Sequence, residues 1–342
     1  MQKTPYHCIF SLLILALLFS SCQSSQNEKN NETFPIIAVD ALGDTIRLSK
    51  PAQRVVSLVP AALDALYMLH ADHAIVGIPN RIYTDPGVFP YFSTLDQRIK
   101  EKSLATPTLT ESGLSMETII KLNPDLVIIQ SNNTDAIQML KELGIPVFGI
   151  TSQNFGQLNQ EVLNLGILLG KETRAKELIA FTESKIQLLK DRNKNLGHKK
   201  TIYYAWSGGR IYSTTGRKGL INDCFEMAGL ENACPYEIDA PNISPETLIS
   251  WNPDIMLLWN TDESVLYQQK ELSSLTALKE KKVFNLSPPF LYDPHTLKIV
   301  LASIAIHHYS YPSAAAATLN EEQLEILSAL YGTEKAKLIL EL

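Results

Sequence analysis

Residues 115–129 read SMETIIKLNPDLVII, and residues 244–258 read SPETLISWNPDIMLL. The second stretch repeats the first at a constant distance of 129 residues (246 − 117 = 129), with Ser, Glu, Thr, Ile and Asn-Pro-Asp in the same places. The serine and the acidic first turn predict the start of a short helix, and Asn-Pro predicts its end because the residue before a proline avoids the α region. The apolar run that follows is typical of a buried strand. The sequence therefore predicts a helix–strand unit in each of two similar α/β lobes.

Length and charge agree with a two-lobed acidic protein. The chain has 342 residues, 45% of them hydrophobic, and a formal net charge of −6. That length is typical of about two domains, and the apolar content is enough for a core in each. An acidic chain without a basic patch gives no electrostatic support for nucleic-acid binding.

The first 21 residues have the proportions of a signal peptide. Lys3 is their one charged side chain, the apolar run that begins at Cys8 is too short for a transmembrane helix, and two serines precede Cys22. Small residues directly before a cysteine are typical of a bacterial lipoprotein cleavage site, and an ordinary secretory signal is the alternative. We expect residues 1–21 to be removed, Cys22 to be diacylated, and the polar residues 22–34 to form a flexible tether. The folded body would then lie in the bacterial cell envelope, outside the cytoplasm.

Strand and helix patterns alternate on both sides of a long helical stretch. The alternation predicts a mainly parallel sheet with helices on its faces in each lobe. Residues 157–195 keep a helical spacing of apolar positions, interrupted only by Gly166 and Gly170, and contain no strand signal. We interpret this stretch as a single stiff connection that allows the lobes little relative motion. The expected boundaries are 35–156 for the first lobe, 157–196 for the connecting helix, and 197–342 for the second lobe with the terminal helices.

The folded part contains two cysteines, Cys224 and Cys234. In an oxidising compartment they are able to form a disulfide. Two free, buried thiols are the alternative, since Cys224 lies in a predicted helix and the pair is only ten residues apart.

The order of these motifs resembles the substrate-binding proteins of ABC importers for iron–siderophore complexes, haem and vitamin B12. The resemblance spans roughly residues 37–312. It is carried by segments 39–44, 54–60, 75–78, 116–119, 123–128, 143–147, 227–232, 243–246 and 251–255. It implies two lobes joined by one long helix, a ligand cleft between the lobes, and a membrane permease with its ATPase as partners. We expect a monomeric binding protein and no enzymatic activity.

In that family, one glutamate on top of each lobe pairs with arginines of the permease. Glu117 and Glu246 stand at the corresponding positions of the two repeats. A carboxylate in the first turn also interacts favourably with the helix dipole, by about 0.3–1 kcal/mol. The dipole explains one such glutamate but not their symmetric placement, so we expect both to serve in permease docking.

We expect the ligand to contact the loops that follow the strands of both lobes. Aromatic rings offer flat contact area and guanidinium groups offer forked donors, a combination that favours an anionic metal chelate over a bare cation. Packing against neighbouring loops is the alternative role for any one of these side chains. The predicted ligand-binding residues are Arg81, Tyr83, Trp206, Arg210, Tyr212, Phe290, Tyr292 and His295, and Arg217 lies in the same group of loops.

No cysteine pair or His-Glu cluster has the spacing of a metal site. We therefore expect no metal or cofactor of the protein's own, and an iron or corrinoid ligand that arrives already chelated. His295 and Tyr292 are the side chains expected to reach such a metal directly. Where a B12 binder of the family offers tryptophans at the lobe mouths, Glu111 and Ala240 stand here, which disfavours a B12-type pocket.

Three other functions compete with a chelate-binding protein. The loop arginines also suit a small oxyanion such as molybdate or tungstate. An envelope enzyme is less favoured because the chain lacks a Gly-x-Ser-x-Gly elbow and a P-loop. An adhesion or structural lipoprotein would not need a glutamate repeated on each lobe.

Overall fold

Two four-stranded parallel sheets organise the chain. The computed structural model describes residues 36–108, 113–206, 208–314 and 317–342. The first sheet has the strand order β4-β3-β5-β6 and the second β10-β9-β7-β8, and every neighbouring pair is parallel. Counted within each lobe, both orders are 2-1-3-4, so the lobes share one topology. The strands are β3 (Val55–Ser57), β4 (Ile75–Gly77), β5 (Leu126–Gln130), β6 (Val147–Ile150), β7 (Thr201–Ala205), β8 (Glu231–Asn232), β9 (Ile255–Trp259) and β10 (Val283–Leu286).

Helices cover the sheets, and an antiparallel hairpin of β1 (Ile36–Val39) and β2 (Thr45–Leu48) precedes them. Residues 79–108 contain three short helices. The helices are α1 (Pro60–Met68), α2 (Arg81–Thr84), α3 (Phe89–Leu95), α4 (Gln97–Lys100), α5 (Met116–Leu122), α6 (Thr134–Glu142), α7 (Phe155–Leu168), α8 (Glu172–Asn193), α9 (Leu220–Met227), α10 (Pro245–Trp251), α11 (Ser264–Tyr267), α12 (Thr276–Lys279), α13 (Ile299–Ser310), α14 (Leu319–Tyr331) and α15 (Thr333–Leu340).

The repeated stretch forms the same local structure twice. Ser115 and Ser244 cap α5 and α10, each accepting a hydrogen bond from the backbone N–H three residues later. The aspartates of the two Asn-Pro-Asp segments bind the start of their lobe's first strand. Asp125 accepts from the N–H of Arg54 at 2.8 Å, and Asp254 accepts from the N–H of Thr201 at 2.8 Å. Each aspartate thus fixes the register between the strand that follows it and the first strand of the same sheet.

The asparagines end these helices as predicted. They leave the right-handed helical region and enter the left-handed region. Asn123 has φ 45° and Asn252 has φ 40°. Asparagine tolerates this conformation better than most residues, which explains why the same residue precedes proline in both copies.

Alternate residues of each sheet face two different cores. Leu126 and Ile128 belong to a central core that runs through both lobes, whereas Val127 and Ile129 pack in an outer cluster under α5 and α6. The second lobe repeats the pattern 129 residues later. Ile255 and Leu257 face the central core, and Met256 and Leu258 face the outer cluster of their own lobe. Burial on both sides explains why these strands are continuously apolar.

The predicted single connecting helix is present but shorter than the expected range 157–196, because two helices occupy this stretch. The chain turns at Gly170, which has φ 65° and lies against Pro51 of the first lobe. Helix α7 belongs to the first lobe, where Asn164 donates to the carbonyl of Val39. Helix α8 makes the long connection from the first lobe to the second and is about 33 Å long at 1.5 Å per residue. Arg174 near its start donates to the Met68 carbonyl, and Asn193 at its end donates to the Met227 carbonyl.

The terminal helices also depart from the expected division of the chain. They follow the second lobe in sequence, but α15 packs on α3 of the first lobe, and α14 packs on α1 of the first lobe as well as on α13 of the second. Arg174 donates to the carbonyls of Ala329 and Leu330, which binds α14 to the connecting helix as well. The expected second-lobe range 197–342 therefore includes a segment that completes the first lobe.

Both cysteines of the folded part are free and buried, which decides between the two alternatives. Within the described part of the chain, no helix is both long and apolar enough to cross a membrane. The predicted signal peptide, Cys22 and the tether lie outside the described residues, so their roles stay predictions.

Candidate functional site

The loops after the strands of the two lobes meet at one place. Gly87, in the loop between α2 and α3, is so close to the second lobe that a Cβ there would lie 3.5 Å from Pro289 and 3.8 Å from the Asn260 side-chain nitrogen. Pro289 follows β10 and Asn260 follows β9. The candidate site therefore lies between the lobes at the carboxyl ends of the sheets, where ligands of parallel sheets bind.

In the first lobe, Arg81 and Tyr83 lie on the one-turn helix α2. The Arg81 side chain is 64% exposed, and its Nε donates to Asp85 at 3.0 Å. The Tyr83 hydroxyl bonds the backbone of Leu104, and its ring packs edge-on against Phe89. Arg81 is accessible to a ligand, while Tyr83 also serves to hold the loop together.

In the second lobe, Trp206 and Arg210 form one unit at the end of β7. Their backbones pair across a tight turn, and the guanidinium of Arg210 lies over the Trp206 ring, 5.5 Å from its centre. Gly208 and Gly209 supply the positive φ angles of this turn, 71° and 77°. Arg210 is exposed and Trp206 half-buried, so the pair presents a charged, flat surface.

Tyr212 and Arg217 are engaged by acidic residues of their own lobe. The Tyr212 hydroxyl donates to Glu271 at 2.9 Å, and burial together with the carboxylates of Glu271 and Glu246 raises its pKa to about 12. Arg217 pairs with Glu231 at 3.3 Å and lines a groove of about 700 Å³ between α8 and α9. This groove contains none of the other predicted ligand residues.

Phe290 and Tyr292 lie inside the central core and not on a loop surface. Phe290 packs against Tyr91 and Phe92 of the first lobe, with ring centres 5.2 and 4.9 Å apart. The Tyr292 hydroxyl accepts a hydrogen bond from Gln323 of α14 at 2.7 Å. Their exposed fractions are 8% and 4%, so both side chains are occupied by contacts within the protein. Ligand contact by either one stays a prediction that this arrangement does not favour.

His295 is the exposed member of the same loop. Its side chain is 60% exposed, and its Nδ1 lies 3.1 Å from the carboxylate of Asp293. Partial burial opposes the imidazolium charge, but the Asp293 carboxylate, with Asp239 and Glu161 farther away, outweighs it and raises the pKa of His295. A carboxylate on Nδ1 fixes the ring and leaves Nε2 for a ligand, the arrangement common among metal-binding histidines.

Glu161 of α7 brings the first lobe into this part of the site. Its carboxylate accepts hydrogen bonds from the N–H of Thr151, at 2.7 Å, and from the Ser152 hydroxyl. Burial raises the pKa of Glu161 despite these bonds and despite the charge of His295. The interaction between Glu161 and His295 therefore crosses from one lobe to the other.

Sequence reasoning missed a buried polar network beside the site. Lys298 and Asp64 are fully buried and form an ion pair across the lobes, with Nζ and Oδ2 2.9 Å apart. The Tyr331 hydroxyl donates to the other Asp64 oxygen at 2.8 Å, and Lys298 Nζ donates to the Tyr91 hydroxyl at 3.0 Å. The sequence did contain a signal for this network, because Asp64 and Lys298 are each the single charged residue of an otherwise apolar stretch. Such charges are rarely buried unless they are paired.

The predicted docking glutamates are exposed on the first turns of α5 and α10. Glu117 bonds Lys121 one turn later at 2.6 Å. Ser250 occupies the equivalent position in the second copy, so Glu246 lacks that intrahelical cation. Hydrogen bonds from Ser244 and from its own backbone N–H lower the pKa of Glu246.

Within the described ranges, no group of three or more His, Cys, Asp or Glu side chains is arranged to hold a metal ion. Of the two side chains expected to reach a chelated metal, Tyr292 is buried and His295 is exposed. Ala240 is exposed at the edge of the second lobe, and Glu111 lies outside the described residues.

Comparison with known proteins agrees with this architecture. Residues 55–289 match the family described as periplasmic binding protein. The chain belongs to the periplasmic binding protein family. It is 22% identical to an uncharacterized ABC transporter substrate-binding lipoprotein of Bacillus subtilis, over 81% of this chain and 88% of that protein. It is 23% identical to a vitamin B12-binding protein of Vibrio parahaemolyticus, over 60% and 70%.

A solved structure shows the same fold. The molybdate-binding protein MolA of Haemophilus influenzae superposes with a TM-score of 0.73 at 19% identity, covering 86% of this chain and 97% of that one. Family membership and shared fold confirm the two-lobed α/β resemblance, and they place the chain among the substrate-binding proteins of ABC transporters.

Proposed function

We propose that this periplasmic binding protein captures an anionic metal chelate between its lobes and delivers it to an ABC importer. The proposed chelate is a ferric siderophore, haem or a corrinoid. The observation that carries the proposal is the cation–π pair of Arg210 and Trp206 at the end of β7. A guanidinium over an indole ring suits an anionic group attached to a flat or aromatic ligand.

His295 supports a chelate in a second way. Its Nδ1 is held by Asp293, and the exposed ring keeps Nε2 available to a metal that has an open coordination position. A chelate saturated by its own ligands would instead accept a hydrogen bond from the same ring.

Delivery rests on surfaces outside the cleft. Glu117 and Glu246 are exposed on equivalent helices, and we assign them to contact cationic side chains of the permease, one from each lobe. Cys22 would carry the lipid anchor that keeps a monomeric protein beside its permease and ATPase in the envelope. The relatives support a transport function and give no support to an enzyme.

A small oxyanion such as molybdate or tungstate is the alternative ligand. The shared fold with a molybdate-bound protein favours it, and so do Arg81 and Arg210. Arg81, however, is already paired with Asp85, and the Trp206 platform has no function toward a small inorganic ion.

A thermal-shift screen of residues 23–342 tests the proposal. The panel contains ferric siderophores, haemin, cobalamin, cobinamide, molybdate, tungstate and free divalent metals. At a ligand concentration 100-fold above Kd, binding adds about 2.7 kcal/mol to the free energy of unfolding, which raises Tm by a few degrees. A shift with an organic chelate supports the proposal. A shift with molybdate or tungstate alone supports the alternative, and no shift with any compound contradicts both.

A further inference from the structure

The buried network of Asp64, Tyr91, Lys298 and Tyr331 joins three parts of the chain. Asp64 lies on α1 and Tyr91 on α3 of the first lobe, Lys298 directly precedes α13 of the second lobe, and Tyr331 ends α14. Tyr91 and Tyr331 are 2.8 Å apart between their hydroxyl oxygens, and both hydroxyls reach Asp64. The four polar groups therefore form one connected set across the boundary between the lobes.

The same lysine holds the loop that follows β10. Lys298 Nζ donates to the carbonyl of Phe290, and its ammonium lies over the rings of both Tyr91 and Phe290, 4.1 and 4.3 Å from their centres. Next to this contact, the Trp259 indole N–H donates to the carbonyl of Pro289 at 3.3 Å. Residues 289–292 are thus held by two donors of their own lobe, and Phe290 also packs on the ring of Tyr91 from the first lobe.

We propose that Lys298 and Asp64 are positioning residues, which fix loop 289–295 of the second lobe against the first lobe and so set the width of the cleft and the place of His295. The effect on ligand affinity rests on the proposed function; the effect on loop and lobe geometry does not. A buried ion pair is poor evidence for stability, because apolar residues of similar volume often replace one without loss. Such pairs are better attested as devices that specify one arrangement, which is the role assigned here.

The test separates position from stability. The variant Asp64→Leu/Lys298→Met removes both charges together, so that neither is left buried and unpaired. Its control is Lys185→Met/Glu325→Leu, which removes an ion pair between α8 and α14 whose side chains are 17% and 55% exposed and belong neither to the loop nor to the buried network. Spin labels at Lys121→Cys and Ser250→Cys occupy exposed, equivalent positions of the two repeats. The native cysteines are buried, which directs labelling to the introduced thiols.

In the ligand-free protein, we expect the Asp64→Leu/Lys298→Met variant to broaden the distance distribution between the labels. The backbone amides of 289–295 should exchange hydrogen about tenfold faster than in the native protein. The control should leave both readouts unchanged. If the screen identifies a ligand, its Kd should rise about tenfold in the first variant and stay the same in the control.

A folded Asp64→Leu/Lys298→Met variant with native exchange and native label distances would overturn the proposal and leave the network a core feature only. If that variant does not fold, Tyr331→Phe takes its place, since it removes only one hydroxyl from Asp64. Faster exchange confined to 289–295 in Tyr331→Phe supports the proposal, and native exchange there contradicts it. Because these readouts need no ligand, they are decided even when the thermal-shift screen fails.

Discussion

Gly166 and Ala175 lie in direct contact where α7 and α8 cross. A Cβ added to Gly166 would be 2.6 Å from the Cβ of Ala175 and 3.2 Å from the Lys171 carbonyl oxygen, closer than packed atoms approach each other. The glycine therefore allows the connecting helix to lie against the first lobe. If residue 166 had a side chain, α8 would have to move away from α7.

We predict that Gly166→Ala destabilises the protein by about 1–3 kcal/mol, the usual cost of overpacking a core. Chemical denaturation at constant pH measures it. Gly156→Ala is the matched control in the same helix, because a Cβ there would meet only the Asn154 side chain at 3.4 Å. The control should be neutral or stabilising by up to about 1 kcal/mol. Equal stability of the two variants would show that the helices can adjust their spacing.

The docking assignment predicts a loss of uptake without a loss of binding. Glu117→Arg combined with Glu246→Arg places cations where the permease is expected to present its own, so uptake should stop while ligand Kd stays unchanged. Uptake by cells that depend on this protein is the measurement. Glu142→Arg with Glu280→Arg makes the same change in net charge at other exposed sites and should leave uptake intact. Normal uptake with both docking charges reversed would refute the assignment.

The two glutamates should not contribute equally. Glu117 has to give up its bond to Lys121 before it meets a permease arginine, and Glu246 has no such partner in its helix. We predict that Lys121→Ser, which copies the second repeat, strengthens binding to the permease by a small factor, since exposed ion pairs contribute about 0.2–1 kcal/mol. Titration of reconstituted permease with both proteins checks it. Weaker binding by the variant would assign Lys121 itself to the interface.

The ligand assignment makes a prediction for Arg210. Arg210→Ala removes the charge above Trp206 and should weaken chelate binding by about 10–100-fold, the effect of losing a hydrogen bond to a charged group. Calorimetric titration gives the affinity, and circular dichroism should show an unchanged fold because the side chain is exposed. Arg47→Ala on the exposed side of β2 is the control and should bind normally. An unaltered affinity in Arg210→Ala would remove the Arg210–Trp206 pair from the site.

The His295–Asp293 pair predicts a pH dependence of stability. The pKa of His295 is raised, so its contribution is complete below the ordinary value of about 6.5 and is lost as pH rises through the folded pKa. Burial opposes the charge of Asp293, but His295 outweighs it and lowers the pKa of that carboxyl. The Asp293 contribution is therefore present above its ordinary value of about 3.9 and is lost in stronger acid. The pair should stabilise the fold most between about pH 4 and 6.5.

Melting curves of the native protein and Asp293→Asn test this dependence. The Tm difference between them should be larger at pH 6 than at pH 8, and an NMR titration should place the His295 pKa above that of a free histidine. Asp239 and Glu161 act on His295 in the same direction, so part of the shift should survive in the variant. A Tm difference that grows with pH would show that His295 is neutral in the folded protein.

Local signals were enough to predict the lobes, because the repeat, the helix caps and the apolar strands depend on neighbouring residues. The break at Gly170 was visible as a glycine, and its turn is closed locally by the hydrogen bond from the Lys171 N–H to the Gly166 carbonyl, so this signal was available in the sequence and was interpreted as a mere interruption. The return of α14 to the first lobe depends on contacts such as Tyr331 with Asp64, 267 residues apart. No local pattern contains such a pairing.

The predicted site shows the same division. Loop position correctly marked Arg81, Arg210 and His295 as accessible. Loop position could not distinguish them from Phe290 and Tyr292. These two are buried by side chains of the first lobe and of α14, which are distant in sequence.

The return of α14 to the first lobe also sets an order of folding events. The lobe that is synthesised first has Asp64 and Tyr91 in place early, but Tyr331 only after the second lobe has been synthesised. The first lobe therefore cannot complete this network at the time its own segments are made, although domains usually fold in their order of synthesis. A nascent chain halted before α14 would expose the faces of α1 and α3, and would be open to proteases there until the last helices arrive.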